Sequence, residues 1–287
     1  MSNATSTLPA PAATPERLRA ALAAPLDAGR IAAILGNAEV ETVLRTGSTN
    51  TDLLGRVRTQ TPARPILRAA LEQTAGRGRH GRAWHTVPGS ALLFSLALPF
   101  VASRAIDGAV SLACGLAAAE ALAPRVAVQL KWPNDLLLDG RKLGGVLCEL
   151  AVDSAGRRTL IVGIGINLCL DPETRATIGQ PAAALDEVIP LQELAAQRED
   201  LIGHVGAATM AIASEFDMHG FASLRTRFLA RFALLGREVE LLEAKRRIAG
   251  GVAVDIDAAG RLLVRTDAGT RAFAGGEVSL RPAPRDA

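Results

Sequence analysis

The chain has 287 residues, of which 49% are hydrophobic, and its formal net charge is only +3, from 32 basic and 29 acidic residues. This length and composition predict a globular protein with one substantial domain and a smaller one. Aromatic residues make up 3% of the chain and tyrosine is absent. A broad basic surface with stacking aromatic side chains, which would indicate a nucleic-acid-binding protein, is therefore not expected.

The cysteines and the first residues indicate the compartment. Cys114, Cys148 and Cys169 lie in apolar runs without C-x-x-C spacing, which predicts reduced, buried thiols in a cytoplasmic protein. The first fifteen residues are rich in Ala, Pro, Ser and Thr and have no basic segment before an apolar core. No apolar run approaches the length of about 18 residues that a membrane helix needs. We therefore expect a flexible tail at the start and neither a signal peptide nor a membrane span.

Helical and strand patterns alternate through the first two thirds of the chain. Residues 15–35 have the Ala/Leu spacing of one helix that is broken near Pro25. The pattern predicts further helices over 51–59, 104–122 and within 191–232, and strands over 39–46, 65–71, 91–99, 126–131 and 158–168. The pair Asp139-Gly140 favours a type I′ turn, so residues 135–152 are predicted to form a hairpin.

The pattern changes after Gly236. From 237 to 280, short runs of period two are separated by Gly-Gly and Ala-Gly pairs, which is typical of a small β-barrel. We therefore predict an α/β (α+β) protein with three parts. Residues 1–38 form the tail and an N-terminal helix, residues 39–233 form a mixed-sheet domain, and residues 235–283 form the barrel.

Residues 72–84 are the most informative segment, because they interleave glycines with three arginines and no carboxylate follows until Asp107. Glycine permits positive φ and close backbone approach, and arginine offers paired donors, so the loop is predicted to hold a phosphate or a carboxylate. Gly76, Gly78 and Gly81 fit the pattern G-x-G-x-x-G, but a predicted strand follows instead of a helix, which argues against a dinucleotide site. Taken alone, the segment is also compatible with a solvated basic loop or a nucleic-acid contact.

Five motifs together resemble the biotin protein ligase family in order and spacing. They are GSTN at 47–50, QTAGRGRHGR at 73–82, KWPND at 131–135, RKLGG at 141–145 and GIGIN at 163–167. The resemblance covers about residues 39–281, because the closing β-rich segment is similar to the SH3-like C-terminal domain of that family. The chain resembles the monofunctional type, since about forty Ala/Pro-rich residues are too few for the winged-helix domain that some members carry.

The resemblance implies a fold and a reaction. Residues 39–233 would form a catalytic domain of the class II synthetase and biotin ligase type, and residues 235–283 the SH3-like domain. Biotin and ATP with Mg²⁺ would form biotinyl-5′-adenylate, and biotin would then pass to one lysine of a biotin carboxyl carrier protein or domain. No nucleic-acid or membrane partner is expected, and a homodimer is one candidate assembly.

The resemblance also implies roles for individual residues. Lys142, Arg79 and Lys131 are the predicted catalytic residues, because joining a carboxylate to the α-phosphate of ATP brings two anions together. The predicted biotin site consists of Ser48, Thr49, Asn50, Gln73, Arg77, Gly78, Arg79, Lys142 and Gly145. The predicted ATP and adenylate site consists of Arg77, Arg79, Arg82, Trp84, Lys131, Asn134, Asp135 and Asn167. Asn167 is expected at the adenine edge, and Asp135 is expected to order a lysine or to hold Mg²⁺.

Each of these residues also has a simpler interpretation when it is taken alone. Ser48 fits a helix N-cap, and Lys131 and Lys142 fit exposed strand ends. Asn167 fits a turn, and Trp84 fits the hydrophobic core. Only their joint pattern favours a common site.

Two other functions stay open at this point. A lipoate-type acyl ligase or transferase belongs to the same fold family, but the combination of Gly-Arg-Gly-Arg with Lys-Trp-Pro-Asn-Asp argues against it. A nucleic-acid-binding regulator would use the basic loop, but the near-balanced charge argues against it. His80 stands where many members of the resembled family have arginine, so the charge at this position titrates near neutral pH.

Overall fold

The computed structural model describes residues 14–59, 61–84, 86–100, 108–243, 246–275 and 278–282. The predicted flexible tail up to residue 13 lies outside these ranges. So does the start of the helix predicted over 104–122, up to residue 107.

The described residues contain seven α-helices, and the first three have a side-chain N-cap. They are α1 (Pro15–Leu22), α2 (Ala28–Leu35), α3 (Thr49–Val57), α4 (Ala109–Leu122), α5 (Pro172–Thr177), α6 (Leu191–His219) and α7 (Arg225–Leu229). Thr14, Asp27 and Ser48 each accept a hydrogen bond from a backbone N–H in the first turn of α1, α2 and α3. The sequence predicted one helix over residues 15–35 that is broken near Pro25. The structure instead has two separate helices there, because Asp27 caps the start of α2.

Twelve strands in the described residues form two sheets. They are β1 (Glu39–Thr46), β2 (Ile66–Gln73), β3 (Ala91–Phe100), β4 (Gln129–Lys131), β5 (Asp135–Leu138), β6 (Arg141–Val152), β7 (Arg158–Asn167), β8 (Glu238–Glu243), β9 (Arg246–Ile256), β10 (Leu262–Thr266), β11 (Gly269–Phe273) and β12 (Val278–Pro282). The first sheet has the order β1-β2-β3-β7-β6-β5-β4, with β1 and β2 parallel and the other neighbours antiparallel. The second sheet is antiparallel, with the order β11-β10-β9-β8-β12.

This architecture confirms the predicted α/β class, with a mixed sheet followed by a small antiparallel β region. Closure of the second sheet into a barrel stays a prediction, and so do the domain limits at 39, 233, 235 and 283. The hairpin is confirmed, because Asp139 and Gly140 both have positive φ, 49° and 73°, as a type I′ turn requires. The strand predicted over 126–131 is shorter and spans 129–131.

The seven-stranded sheet buries different neighbours on its two faces. On one face, Leu96, Val162 and Ile164 belong to a large core with α2, α4 and α6, and each is at most 3% exposed. On the other face, a smaller cluster that includes Ala97 and Ile161 packs against α3. Near the start of α3, residues of this second face such as Ser95 and Gly163 line a cavity.

The two sheets meet at the Lys-Trp-Pro-Asn-Asp segment. The indole Nε1 of Trp132 donates a hydrogen bond of 3.0 Å to the backbone oxygen of Gly260, and Trp132 is 1% exposed. Arg225, in α7, pairs with Asp255 in β9. The turn between β9 and β10 of the second sheet therefore packs against this segment and holds Trp132 in place.

Two further features concern the cysteines and the helices of the described residues. Cys114, Cys148 and Cys169 are free thiols, as predicted, but only Cys114 is fully buried and the other two are half-buried. None of the helices in the described part of the chain combines the length and the apolar character that a membrane crossing requires.

Candidate active site

A cavity of about 410 Å³ lies on the open part of the sheet, between the start of α3, the Gly/Arg loop at 76–84 and the β4–β6 hairpin strands. Every residue that the sequence predicted for the site lines this cavity. They are Ser48, Thr49, Asn50, Gln73, Arg77, Gly78, Arg79, Arg82, Trp84, Lys131, Asn134, Asp135, Lys142, Gly145 and Asn167. The same cavity is therefore lined by residues from segments that are more than one hundred positions apart in the chain.

Glycines in β7 create the space for the cavity floor. A Cβ atom at Gly163 would lie 2.3 Å from Asn50 Oδ1, and a Cβ atom at Gly165 would lie 2.9 Å from the ring of Trp84. Both distances are shorter than real Cβ contacts. The GIGIN motif therefore places Asn50 and Trp84 directly on the strand backbone, while its isoleucines point into the opposite core.

Two lysines and one aspartate form the charged end of the cavity. Lys142 Nζ donates to Asp135 Oδ1 at 2.6 Å, and Lys131 Nζ lies 3.6 Å from Asp135 Oδ2. Burial lowers the pKa of Lys131, and the negative charge of Asp135 opposes this shift. Lys142 Nζ also lies 5.8 Å from the centroid of the Trp84 ring. The cluster presents two fixed cations to an anionic ligand, with one carboxylate that holds them in place.

The Gly/Arg loop folds back on itself as a small hairpin. Arg77 and Ala83 form an antiparallel bridge, and Trp84 N–H donates to Gly76 O at 2.9 Å. At the tip, His80 and Gly81 both have positive φ, 58° and 68°. Histidine is enriched among the non-glycine residues that adopt this left-handed conformation, so His80 suits the turn irrespective of its charge.

Two arginines of the loop differ in their surroundings. Arg77 Nη2 donates to Thr51 Oγ1 at 3.0 Å, which ties the loop to the first turn of α3. Arg79 is more buried, and this burial lowers the pKa of its guanidinium while Asp135 raises it. The loop thus directs one guanidinium toward the charged cluster and uses another to hold its own position.

Neutral polar groups form the opposite end of the cavity. Thr49 N–H donates to Gln73 Oε1 at 2.7 Å, and Thr49 Oγ1 lies 2.6 Å from Ser95 Oγ. Ser48 accepts a bond of 3.5 Å from Thr51 N–H, so it is a helix N-cap as well as a cavity residue. The amide of Asn50 lies beneath these groups and is 4% exposed.

Two predicted asparagines bond to the protein backbone. Asn134 Nδ2 donates to Val146 O at 2.9 Å, and Asn167 Nδ2 donates to Ala183 O at 2.9 Å. Asn167 Nδ2 also lies 3.4 Å from Lys142 O. These bonds hold β6, the strand that carries Lys142. The role of Asn167 at an adenine edge stays a prediction, because its amide nitrogen already donates to the backbone.

Asp135 is the residue predicted to order a lysine or to hold Mg²⁺. The described residues contain no group of three His, Cys, Asp or Glu side chains that could hold a metal ion. Each carboxylate oxygen of Asp135 faces a lysine ammonium. This arrangement fits the lysine-ordering role of Asp135 and does not fit direct metal coordination by its carboxylate.

Sequence reasoning missed some cavity residues that lie outside the five motifs. They are Leu93 and Ser95 in β3, Ile178, Gln180 and Ala182 in the segment after α5, and Leu280 and Arg281 in β12. Alternation along β3 could have placed Ser95 on the face opposite Phe94. The others reach the cavity through tertiary contacts, such as the bridge between Lys142 and Ala182, for which the sequence has no local signal.

Comparison with known proteins agrees with this fold and site. Residues 43–167 match the model of the Biotin/lipoate A/B protein ligase family, and residues 234–281 match the Biotin protein ligase C terminal domain. The chain therefore belongs to the biotin/lipoate A/B protein ligase family, and within it to the biotin protein ligases.

Individual relatives and structures are similar over nearly the whole chain. The biotin acetyl-CoA-carboxylase ligase of Paracoccus denitrificans is 33% identical over 246 residues, 82% of this chain and 97% of that protein. The bifunctional ligase/repressor BirA of Escherichia coli is 30% identical over 262 residues, 91% of this chain and 79% of that protein. The structure of the biotin protein ligase of Aquifex aeolicus in complex with biotin and ATP has a TM-score of 0.68 and 28% identity, and the match covers 85% of this chain and 99% of that one.

Proposed function

We propose that this protein is a biotin protein ligase that activates biotin with Mg-ATP and transfers it to a lysine of a biotin carboxyl carrier protein or domain. The observation that carries the proposal is the arrangement of the cavity. The Lys131–Asp135–Lys142 cluster, with Arg79, forms a cationic end, and Thr49 and Gln73 form a neutral hydrogen-bonding end. A ligand with a carboxylate at one end and a ureido ring at the other fits both ends.

The first step joins two anions. A carboxylate oxygen of biotin attacks the α-phosphorus of ATP, the bond to the bridging oxygen of the β-phosphate breaks, and pyrophosphate leaves. Lys142 and Arg79 are placed to neutralise the carboxylate and the α-phosphate. The repulsion between these two anions then does not oppose the approach of the carboxylate to the phosphorus. Asp135 keeps the lysines in position before the substrates bind.

The second step consumes the mixed anhydride. The neutral amine of the carrier lysine attacks the biotinyl carbonyl, the bond to the phosphate oxygen breaks, and AMP leaves. Water would hydrolyse the same bond, so the intermediate must be shielded until the carrier arrives. Trp84 and the Gly/Arg loop border the cavity and supply this cover.

A mass measurement tests the proposal directly. The protein is incubated with biotin, Mg-ATP and a carboxyl carrier domain, and the carrier is weighed by mass spectrometry. We expect the mass increase of one biotinyl group on one lysine. A parallel reaction with lipoate tests the alternative acyl ligase, and lipoyl transfer in place of biotinyl transfer would overturn the proposal.

Four finer parts of the proposal have their own tests. Omission of Mg²⁺ is expected to abolish adenylate formation, because the metal accompanies ATP. The cytoplasm is the expected compartment, and cell fractionation tests it. A homodimer is one candidate assembly, and sedimentation at several concentrations tests it. No salt-dependent DNA binding is expected in a gel shift, because the net charge is only +3.

A further inference from the structure

A chain of hydrogen bonds runs below the neutral end of the cavity, from Thr49 through Ser95 to Asn50. Thr49 Oγ1 and Ser95 Oγ are 2.6 Å apart, and Ser95 Oγ lies 2.5 Å from Asn50 Oδ1. Thr49 Oγ1 also lies 3.0 Å from Gln73 Oε1. The three chain residues are 4% exposed or less, so their protons must be satisfied within the chain.

The side-chain amides of Gln73 and Asn50 lie at the two ends of this chain, and other hydrogen bonds fix the orientation of each amide. Thr49 N–H donates to Gln73 Oε1 at 2.7 Å, which identifies this atom as the oxygen. Asn50 Nδ2 donates to Glu149 Oε2 at 2.8 Å and to Leu147 O at 3.3 Å, so Oδ1 is the atom that faces the serine hydroxyl. Both ends of the chain can therefore only accept.

Two hydroxyl protons must serve three contacts between oxygen atoms. If Ser95 did not donate to Asn50, two acceptors would lie 2.5 Å apart, and if neither hydroxyl donated to the other, they would lie 2.6 Å apart without a bond. One assignment avoids both problems: Thr49 donates to Ser95 and Ser95 donates to Asn50. It leaves only the longest contact, 3.0 Å between Thr49 Oγ1 and Gln73 Oε1, without a proton.

We infer that Ser95 is a positioning residue that makes the Thr49 hydroxyl a hydrogen-bond acceptor toward the ligand, and that Asn50 and Glu149 fix this polarity. The inference rests on the proposed function. Thr49 donates its only proton to Ser95, so its oxygen can accept an N–H from the ligand but cannot donate. Gln73 Oε1 accepts the Thr49 N–H, and the amide N–H groups of Gln73 can donate to the ligand.

This polarity selects a class of ligand ring. A ureido ring has N–H donors and a carbonyl acceptor, which complement Thr49 and Gln73, whereas the dithiolane ring of lipoate has neither. A site that is built to bond an N–H strongly rejects analogues that lack it, because its polar groups are then left without partners. Ser95 thus contributes to the choice of biotin over lipoate without the need to touch the ligand.

Titration calorimetry of biotin without ATP tests this role. We expect Ser95→Ala to weaken biotin binding about tenfold, since the loss of one buried hydrogen-bond partner typically has this effect. Thr159→Val is the matched control, because Thr159 is an equally buried strand hydroxyl, 1% exposed and without a hydrogen-bond partner among the residues that the structure describes. This control is expected to bind biotin like the wild type.

Two derivatives of biotin, each methylated at one of the two ureido nitrogens, distinguish a positioning role of Ser95 from a general loosening of the cavity. In the wild type, the derivative that is methylated at the nitrogen facing Thr49 should bind about tenfold more weakly than biotin. In Ser95→Ala this difference should shrink, because Thr49 no longer has a fixed polarity. A loosened cavity would instead weaken all three ligands by the same factor.

The outcomes are distinct. Wild-type affinity of Ser95→Ala for biotin, or a uniform loss for the three ligands, would overturn the role of Ser95. Failure of the wild type to bind biotin would overturn the proposed function itself. If Ser95→Ala does not fold, Ser95→Cys replaces it, since a thiol is a weak donor and acceptor of similar size, and it must show the same ligand pattern.

Discussion

The two faces of the seven-stranded sheet carry the same strands but serve different purposes. In β3 and β7, the face toward α4 and α6 carries large aliphatic side chains such as Leu96, Val162 and Ile164. The opposite face of the same strands carries Ser95 and Gly163 at neighbouring positions, because the register pairs these two residues. One face fills space, and the other leaves space for a ligand.

This difference teaches where stability and function reside. Burial of large aliphatic side chains stabilises the fold, while glycine and serine on the cavity face contribute little burial. Substitutions on the helical face should therefore change the free energy of unfolding and leave ligand affinity unchanged. Substitutions on the cavity face should do the reverse.

The largest effect is expected on the helical face. Leu96 is fully buried, and Leu96→Ala should lower the free energy of unfolding by about 2–5 kcal/mol, because it removes apolar contact and leaves a void. Urea denaturation followed by circular dichroism measures this loss. The folded variant should bind biotin like the wild type, and a weaker affinity with unchanged stability would contradict the division between the faces.

Lys142→Ala should reduce adenylate formation about 10²- to 10³-fold, which is the typical effect of removing one preorganised group that faces developing charge. Biotin-dependent exchange of pyrophosphate into ATP measures this step. Arg141→Ala is the matched control, because Arg141 is the preceding residue and pairs with Glu187 at the surface. Near wild-type exchange in Lys142→Ala would show that the lysine is not catalytic.

Gly163→Ala tests the cavity face directly. The added Cβ would lie 2.3 Å from Asn50 Oδ1, so Asn50 must move, and biotin should bind about tenfold more weakly because one buried hydrogen bond is disturbed. Gly55→Ala, in α3, is the control, since its Cβ meets no atom within 4 Å. Unchanged biotin affinity in Gly163→Ala would mean that the glycine is not needed to place Asn50.

Arg79→Gly should affect retention more than formation of the adenylate. The variant removes one guanidinium from the loop and leaves Lys142 in place, so adenylate should form and then escape. The measurement is biotin on lysines of an unrelated protein such as albumin. Lys142→Ala, in which adenylate formation should be about 10²- to 10³-fold lower, is the control. Adenylate retained as tightly as in the wild type would refute the covering role of residues 76–82.

The smallest effect concerns Asp153, which follows β6 and is not among the residues that line the cavity. Burial would raise its pKa, but hydrogen bonds from Arg157 and Thr61 outweigh it and hold the pKa well below the usual range. A lowered pKa in the folded state stabilises the fold fully above the pKa of the unfolded chain, about 4. This contribution is lost progressively as the pH falls from there toward the lower pKa of the folded state.

Asp153→Asn should therefore be less stable than the wild type at pH 7, and the difference should narrow toward pH 3. Thermal melts at several pH values measure it. Biotin binding should not change, because Asp153 is not among the residues that line the cavity. A stability difference that is the same at both pH values would exclude the ionised carboxylate as its cause.

The sequence predicted most of the strands and the whole set of motif residues in the cavity. The strands β1, β3 and β7 were predicted closely because their apolar periodicity is regular, and the hairpin was predicted because Asp139-Gly140 specifies its turn. The strand β4 was predicted three residues too long, since apolar residues before it face the core without pairing.

The function of single residues was harder to predict than their location. Asn167 lines the cavity as predicted, but its amide nitrogen bonds to backbone oxygens that only the folded chain brings near. Ser95 was not predicted, since strand alternation indicates only its face of the sheet and a single serine in an apolar strand indicates no role. Its importance depends on Thr49 and Asn50, which approach it only through the packing of α3 on β3.

The contact between Trp132 and Gly260 limits how this chain can be recombined. Gly260 has a φ of 73°, and a Cβ atom there would lie 2.5 Å from that of Ala109, so only glycine fits where the indole bonds to the backbone. A C-terminal region taken from another protein would support the Lys-Trp-Pro-Asn-Asp segment only if its own turn had glycine at this position. The two sheets are therefore exchangeable as a matched pair, and a chimera that ignores this turn should lose activity although none of its catalytic residues has changed.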